Sequence, residues 1–352
     1  MFGANGRLRT LLRRNTGFDP VLYVNLLYTH FLHRKADPLG LSYNVSRLAA
    51  GADPCTLLTE FATCEEAQMG SRGTKLFVAP GHFYSPVVNP TEISGRFHAD
   101  AGALPSRLPG IAVDRGVHEH LWEAFVPHFA EMPFAADRRE GLRYHFENPA
   151  FSYGDGLLYY AMLKHLRPRR VIEIGSGYTS ALLLDVVDRF LGDAVRCTFI
   201  EPYPTLLKQL LSASDLARHT LLAQQVQDVP LDVFGQLGAG DILFIDSSHI
   251  LKTCSDTNRE LFDILPALKA GVHIHFHDIF YPFEYPAEWA LQDNRSWNVA
   301  YALRAFLMYN PAFEISFFND YFAKNCRDLM ERDMPLWTHN TGGSLWLKKV
   351  AP

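Results

Sequence analysis

Long apolar runs are missing from this 352-residue sequence. No stretch approaches the roughly 18 residues that a membrane helix needs, so no spanning segment is expected. Cysteine is scarce. Cys55, Cys64, Cys197, Cys254 and Cys326 are odd in number, scattered and free of CxxC spacing, which disfavours a disulfide framework and fits reduced thiols in a cytoplasmic protein. Positive charge is not in excess: 33 Lys and Arg face 38 Asp and Glu, for a formal net charge of −5. No global basic field therefore invites nucleic acid or anionic lipid. Arg7, Arg9, Arg13 and Arg14 make the first residues basic, but no apolar stretch follows them, and a solvated leader is expected rather than a secretory signal. What is abundant is core material, 48% hydrophobic and 13% aromatic residues. At roughly 150 residues per domain the length suggests about two domains.

The chain changes texture twice. Residues 1–70 read as a small all-α domain, with an apolar face from Val21, Leu22, Val24, Leu26, Leu27 and Phe31 and a turn at Asp37-Pro38-Leu39-Gly40. Further helical segments are expected around Tyr43–Leu48, stopping at Gly51, and over Thr56–Glu66 after Pro54. Tyr28, the Arg34–Gly40 turn, Gly51, Phe61 and Glu65 resemble a small bacterial helical domain of unknown function that recurs in surface-layer and glycan-assembly proteins. That domain implies no chemistry of its own. Residues 71–144 are irregular and rich in Gly and Pro, with one amphipathic helix expected over Val117–Phe129. Two readings stay open there, a cap over an active site and a strap between domains.

From residue 145 to 352, apolar runs of four to six residues alternate with helical periods. Helices are expected at Leu157–Leu166, Ser180–Phe190, Thr205–Leu211, Asp256–Leu268 and Trp297–Met308. The strands are expected at Arg170–Ile174, Arg196–Ile200, Leu221–Val226, Ile242–Ile245, Val272–Phe276, Glu314–Phe318 and Ser344–Lys348. This is an α/β pattern, a mostly parallel sheet with helices on both faces.

Polar residues gather at the ends of these strands. The first runs through Glu173 into Gly175-Ser176-Gly177-Tyr178, where glycines allow close backbone approach by a ligand and the next helix offers free N–H groups. A dinucleotide fingerprint needs a third glycine near position 180, and Ser180 stands there, so pyrophosphate binding is disfavoured. Glu173 lies in an otherwise apolar strand, which is costly without partners, such as an ammonium or a buried water network. Glu201-Pro202 follows the second strand, placed for ribose hydroxyls. Asp246 and His249 follow the fourth. The fifth places His273, His275 and His277 on one face, which suggests a zinc site; alternate positions stand roughly 7 Å apart and a single ion would be hard to share, so His273 and His275 are expected rather to pack under helices while His277 and Asp278 reach the cleft.

Taken together, residues about 145–348 resemble a class I S-adenosylmethionine-dependent methyltransferase, which implies a Rossmann-like seven-stranded sheet. The resemblance implies that Glu173, Gly175, Ser176, Gly177 and Tyr178 face the methionine end of S-adenosyl-L-methionine, that Glu201 and Pro202 face its ribose, that Asp228 approaches its adenine amine, and that Asp246 closes the site. The nearest branch is bacterial, small-molecule O-methylating, related to the catechol-type and cephalosporin-tailoring enzymes. Some of its members hold Mg²⁺ at positions matched by Asp246 and by His277 or Asp278. Mg²⁺ prefers oxygen, and His277 stands where an acid or amide is usual.

Methyl transfer to a hydroxyl asks for a base, and histidine is the side chain that ordinarily titrates near neutrality. His249 is the first candidate, with Asp278 to orient it or share the task and His277 beside them. Tyr153 and Asp155 are candidate walls of the methionine pocket. The aromatic segment Phe280–Pro286 is a candidate substrate lid, and Trp297 and Asn298 are candidate cleft residues. The expected acceptor is a small molecule or a carbohydrate, the glycan reading leaning on the company the helical domain keeps. Two rivals remain, a methyltransferase fold that only binds or scaffolds, and a nucleotide-cofactor dehydrogenase.

Overall fold

The computed structural model describes residues 18–32, 34–64, 66–67, 77–100, 104–105 and 107–351, with nothing said of side chains 98–100. The basic leader, with Arg7, Arg9, Arg13 and Arg14, and Glu65 lie outside the described residues. Two compact units divide the chain, Met1–Ala79 and Pro80–Pro352. Among the described residues no helix is long and apolar enough to cross a membrane.

The first unit contains helices Pro20–Phe31, Pro38–Ala49 and Pro54–Thr63, and all three begin alike. Asp19, Asp37 and Asp53 accept hydrogen bonds from free backbone N–H groups of the first turn. Proline follows each, where its fixed φ suits the helix and its missing N–H costs nothing. Val24, Leu27, Tyr28, Leu57 and Phe61 form the core. Tyr28 packs edge-on against Phe61 at 4.9 Å, and the Arg34 guanidinium lies 4.8 Å from the Tyr28 ring centre while pairing with Glu66 and Asp37.

In the second unit the strands are β1 (Arg170–Ile174), β2 (Arg196–Ile200), β3 (Thr220–Leu222), β4 (Ile242–Ile245), β5 (His273–Phe276), β6 (Phe313–Phe318) and β7 (Leu345–Lys349). Their order is β3-β2-β1-β4-β5-β7-β6. The first five pair in parallel, while β7 is antiparallel to both β5 and β6. Strand periodicity builds two cores. Ile242 and Phe244 of β4 join one cluster with helices Tyr153–Leu166 and Tyr178–Val186, while Leu243 and Ile245 join another with helix Val299–Leu307. This is the doubly covered sheet that the alternating pattern predicts.

Several boundaries differ from expectation. Helix Tyr153–Leu166 begins four residues before Leu157, because Tyr153, Gly154 and Asp155 are themselves buried. Strand β3 stops at Leu222, and the apolar Val226 belongs instead to a 3₁₀ turn, Val226–Asp228. The stretch read as irregular contains helix Pro90–Asp100 besides the expected one, which runs Arg115–Phe129 from an Asp114 cap. Arg143 ties the segment before β1 to the sheet's helices, bonding Asp185 and Asp188 at 2.8 Å and Asp215 at 2.7 Å.

Gly40 is the crowded one of the helical unit's described glycines, since a Cβ there would lie 1.9 Å from the Tyr28 hydroxyl. Gly40→Ala is expected to destabilise this unit by about 1–3 kcal/mol through overpacking. Denaturation of the full chain followed by circular dichroism checks it, and adding Tyr28→Phe should return part of the loss.

Candidate active site

The switch in strand order falls between β1 and β4, with β1 followed by β2 on one side and β4 by β5 on the other. Ligands of open α/β sheets bind at such a point. Here a cleft of about 430 Å³ is lined by Gly175, Glu201, Pro202, Gln225, Asp246 and Ser248 among others. Gly175 has φ +78°, and a Cβ on it would lie 1.8 Å from the Asp246 carbonyl oxygen; only glycine lets the β1 loop and the β4 tip come this close. Glu201 fastens the loop from the other side. Its carboxylate accepts the Ser176 N–H at 3.1 Å and the Tyr203 N–H at 2.7 Å, leaving lone pairs for further donors.

Strands β4 and β5 end in register, Ile245 opposite Phe276, so the residues just beyond them meet. His277 Nδ1 lies 3.2 Å from Asp246 Oδ1, and its Nε2 lies 3.4 Å from Asp155 Oδ2. Asp155 also accepts the Ser344 hydroxyl at 2.6 Å and the Gly343 N–H at 3.0 Å. His249 Nε2 lies 3.5 Å from Asp246 Oδ1 and 3.6 Å from Asp278 Oδ2. Two imidazoles thus share three carboxylates. Burial alone would lower the His277 pKa, but Asp278 and Asp246, with the Asp155 contact, hold it well above the usual imidazole range. With both ring nitrogens turned to carboxylates, the site favours the charged imidazolium form. Burial would raise Asp246, yet His277 and His249 hold it well below the carboxylate range. Asp278 is raised by burial, which His277 and His249 offset only in part.

His249 (φ +61°) and Asp278 (φ +58°) both adopt left-handed backbone, a conformation costing of order 1–3 kcal/mol that persists only where surroundings enforce it. The enforcement at His249 is visible. Its carbonyl accepts the Asn298 and Val299 N–H groups at 3.1 Å each, and the Asn298 side chain clamps Leu251 through both its oxygen and its nitrogen. Trp297 lies against the imidazole, ring centres 4.3 Å apart.

Of the residues expected around a cofactor, Gly175, Glu201, Pro202 and Asp246 line the cleft. Glu173 is wholly buried beneath the loop. Its Oε1 accepts from the Thr179 and Ser180 hydroxyls while Oε2 has no partner. Burial, with Asp246 and Glu201 nearby, pushes its pKa up to about 8. Ser176 and Gly177 belong to the loop without lining the cleft, and the Ser176 hydroxyl is buried without a partner. Tyr178 packs against the core and turns an edge to His145. Asp228 is exposed at the end of its 3₁₀ turn; Gln225, Val226 and Gln227 face the cleft in its place. Tyr153 stacks on Phe146 and donates to Glu147, and Asp155 stands behind His277 rather than in the cleft. His275 stacks on Phe244 at 3.8 Å, its Nε2 2.9 Å from the Ser344 hydroxyl. Sequence reasoning missed the anchoring of Ser248 by Asp256, at 2.8 Å to the N–H and 2.6 Å to the hydroxyl. The signal was there, two serines after a strand and an acid opening the next helix.

Comparison with known proteins fits this geometry. Residues 172–279, from β1 through the tip of β5, match the family model "Methyltransferase domain", and residues 14–70 match a domain of unknown function, DUF4214. An uncharacterized protein of Archaeoglobus fulgidus is 32% identical over 164 residues, spanning 45% of this chain and 72% of the relative. Residues 172–279 of this chain thus form a methyltransferase domain. Similar solved structures include the S-adenosylhomocysteine-bound methyltransferase PaMTH1 of Podospora anserina (12% identity, 78% of this chain and 99% of that one, TM-score 0.38). Another is the O-methyltransferase TomG of Streptomyces achromogenes, involved in tomaymycin synthesis (15% identity, 74% and 96%, TM-score 0.35).

The methyltransferase cleft suits the family's cofactor. A loop glycine with no room for a side chain, a strand-tip carboxylate with lone pairs to spare, and the unpartnered buried atoms Glu173 Oε2 and Ser176 Oγ are what a ribose-bearing, ammonium-bearing ligand can use. Mg²⁺ suits the site poorly. Among the described residues no group of three or more His, Cys, Asp or Glu is arranged to hold a metal ion. Around Asp246 and Asp278 such an ion would also meet imidazole nitrogens where it asks for oxygens.

Calorimetry with S-adenosylhomocysteine tests both conclusions. Gly175→Ala is expected to weaken binding by roughly tenfold or more, about 1.4 kcal/mol, with the fold retained by circular dichroism. Binding to the unaltered protein is expected to be the same in EDTA and in added Mg²⁺, and saturable Mg²⁺ binding would contradict the reading of the donor set.

Proposed function

We propose that this methyltransferase transfers a methyl group from S-adenosylmethionine to a hydroxyl of a small molecule or a glycan in the cytoplasm, with His249 taking the hydroxyl proton. The observation that carries the proposal is the position of His249. One side of its imidazole meets Asp246, which lines the cofactor cleft; the other meets Trp297, which lines a second, aromatic cavity. A base between a cofactor and an acceptor belongs at such a junction.

When bound, S-adenosylmethionine would supply an electrophilic methyl carbon on a positively charged sulfur, the carbon–sulfur bond breaking with its electron pair to release neutral S-adenosylhomocysteine. The chain's own residues do the rest. His249 Nε2 accepts the proton as the acceptor oxygen closes on that carbon, and the imidazolium so formed stands 3.5 and 3.6 Å from the Asp246 and Asp278 carboxylates, which stabilise its charge. His277, fixed by Asp155, keeps Asp246 ionised and so available. Glu201 receives the ribose hydroxyls, and Gln225 and Gln227 replace Asp228 along the adenine. Val88, Ile93, Phe97 and Leu104 line the aromatic cavity, which supports reading the 71–144 stretch as a cap over the 145–352 domain. The glycan version draws only on the resemblance of residues 1–70 to domains found beside glycan-assembly proteins.

S-adenosylhomocysteine and NAD titrated separately should show binding of the first and none of the second; the reverse would favour a dehydrogenase, and binding of neither would contradict both enzymatic readings. His249→Ala is expected to lower methyl transfer from labelled S-adenosylmethionine by roughly 10²–10⁴-fold across a panel of hydroxylated rings and sugars, with S-adenosylhomocysteine affinity unchanged. Undiminished transfer would remove His249 from the mechanism.

A further inference from the structure

Beyond Trp297 lies a cavity of about 920 Å³ that the transfer chemistry itself does not explain. Its floor is aromatic. Phe280 meets Trp289 edge-on at 5.2 Å, and Trp289 meets Trp297 edge-on at 5.5 Å. Tyr301 lines it as well, and its hydroxyl donates to Glu284 at 2.5 Å. Val88, Ile93 and Phe97 also line it, and the Val88 N–H donates to the Ser296 hydroxyl at 3.2 Å. Faces of this kind suit a flat or sugar ring.

The charges around the same cavity are uneven. Arg96, Arg295, Arg304 and Lys324 line it against only Glu284 and Asp320, in a chain whose formal net charge is −5. Two of the four cations are already used. Lys324 pairs with Asp320 at 2.6 Å, and Arg295 pairs with Asp293 while its guanidinium lies 3.8 Å from the Trp289 ring centre. Glu284 is taken up by the Tyr301 hydroxyl and the Tyr285 N–H. Among the described residues, Arg96 and the half-buried Arg304 meet no carboxylate. A neutral ring would be held by the aromatic walls alone and would leave the half-buried Arg304 guanidinium partly desolvated without a carboxylate among the described residues, while the exposed Arg96 adds a second cation to the lining. Guanidinium forks match carboxylate and phosphate oxygens two at a time.

We infer that the acceptor is a hydroxylated ring bearing an anionic group, carboxylate or phosphate, with the ring among the cavity's aromatic side chains, its hydroxyl toward His249 and its anionic group answered by Arg304 and Arg96. That the occupant is an acceptor rests on the methyl-transfer reading; that it is anionic rests on the cavity alone.

Calorimetry of the full chain, with and without S-adenosylhomocysteine, tests this with two matched pairs of probes. 4-Hydroxybenzoate against its methyl ester reads the carboxylate arm, and glucose 6-phosphate against glucose reads the phosphate arm. In at least one pair the anion is expected to bind roughly tenfold or more tightly than its neutral partner, as charge-assisted bonds require. Arg304→Gln and Arg96→Gln should shrink that preference while leaving S-adenosylhomocysteine affinity unchanged. Equal affinities within both pairs, no saturable binding of any probe, or a preference untouched by both substitutions would overturn the inference. Bound S-adenosylhomocysteine without anion preference would overturn it and leave methyl transfer standing. Anion preference without S-adenosylhomocysteine binding would do the opposite.

Discussion

The interaction on which the site depends is a cation held in a carboxylate cage. His277 stands between Asp155 and Asp246 with Asp278 alongside, and each of these groups would be expensive to bury without the others. The cage is assembled from distant parts of the chain, since Asp155 opens a helix before the first strand, and the Ser344 and Gly343 groups that steady it come from the approach to the last. Because β4 and β5 end level, Asp246 and His277 are delivered side by side. From there the arrangement propagates outward. Asp246 faces the cofactor cleft and lies beside His249, which leans on Trp297 at the edge of the aromatic cavity.

Much of this was legible in the sequence wherever one segment carried its own signal. Four apolar runs, each ending in a polar residue or glycine, located β1, β2, β4 and β5 to within a residue, because a strand buried on both faces has no other way to be written. Where structure depends on partners far along the chain, the reading fell short. Asp155 looked like a pocket wall because its partners at 277, 319, 343 and 344 are not neighbours in sequence. Val226 looked like strand because an apolar residue does not announce a 3₁₀ turn. Asp228 looked like an adenine contact by analogy of position, and the turn carries it out to solvent while bringing two glutamines in.

The two matched family models fall in different compact units of this chain. In the first, three Asp-Pro starts define three short helices around a few apolar side chains, with the Tyr28 hydroxyl filling the space that Gly40 leaves. The second carries every residue of the proposed chemistry, including the aromatic cavity under helix Pro90–Asp100, a helix that composition alone disguised as loop.

The close approach at Gly175 also bears on how two tasks of the site are linked. With no side chain between them, the loop that would receive the cofactor and the β4 tip that steadies the base rest backbone against backbone. Packed backbone of this kind does not deform gradually. On the proposed mechanism, cofactor grip and proton acceptor would therefore share one close backbone contact, so that a change at Gly175 reaches both.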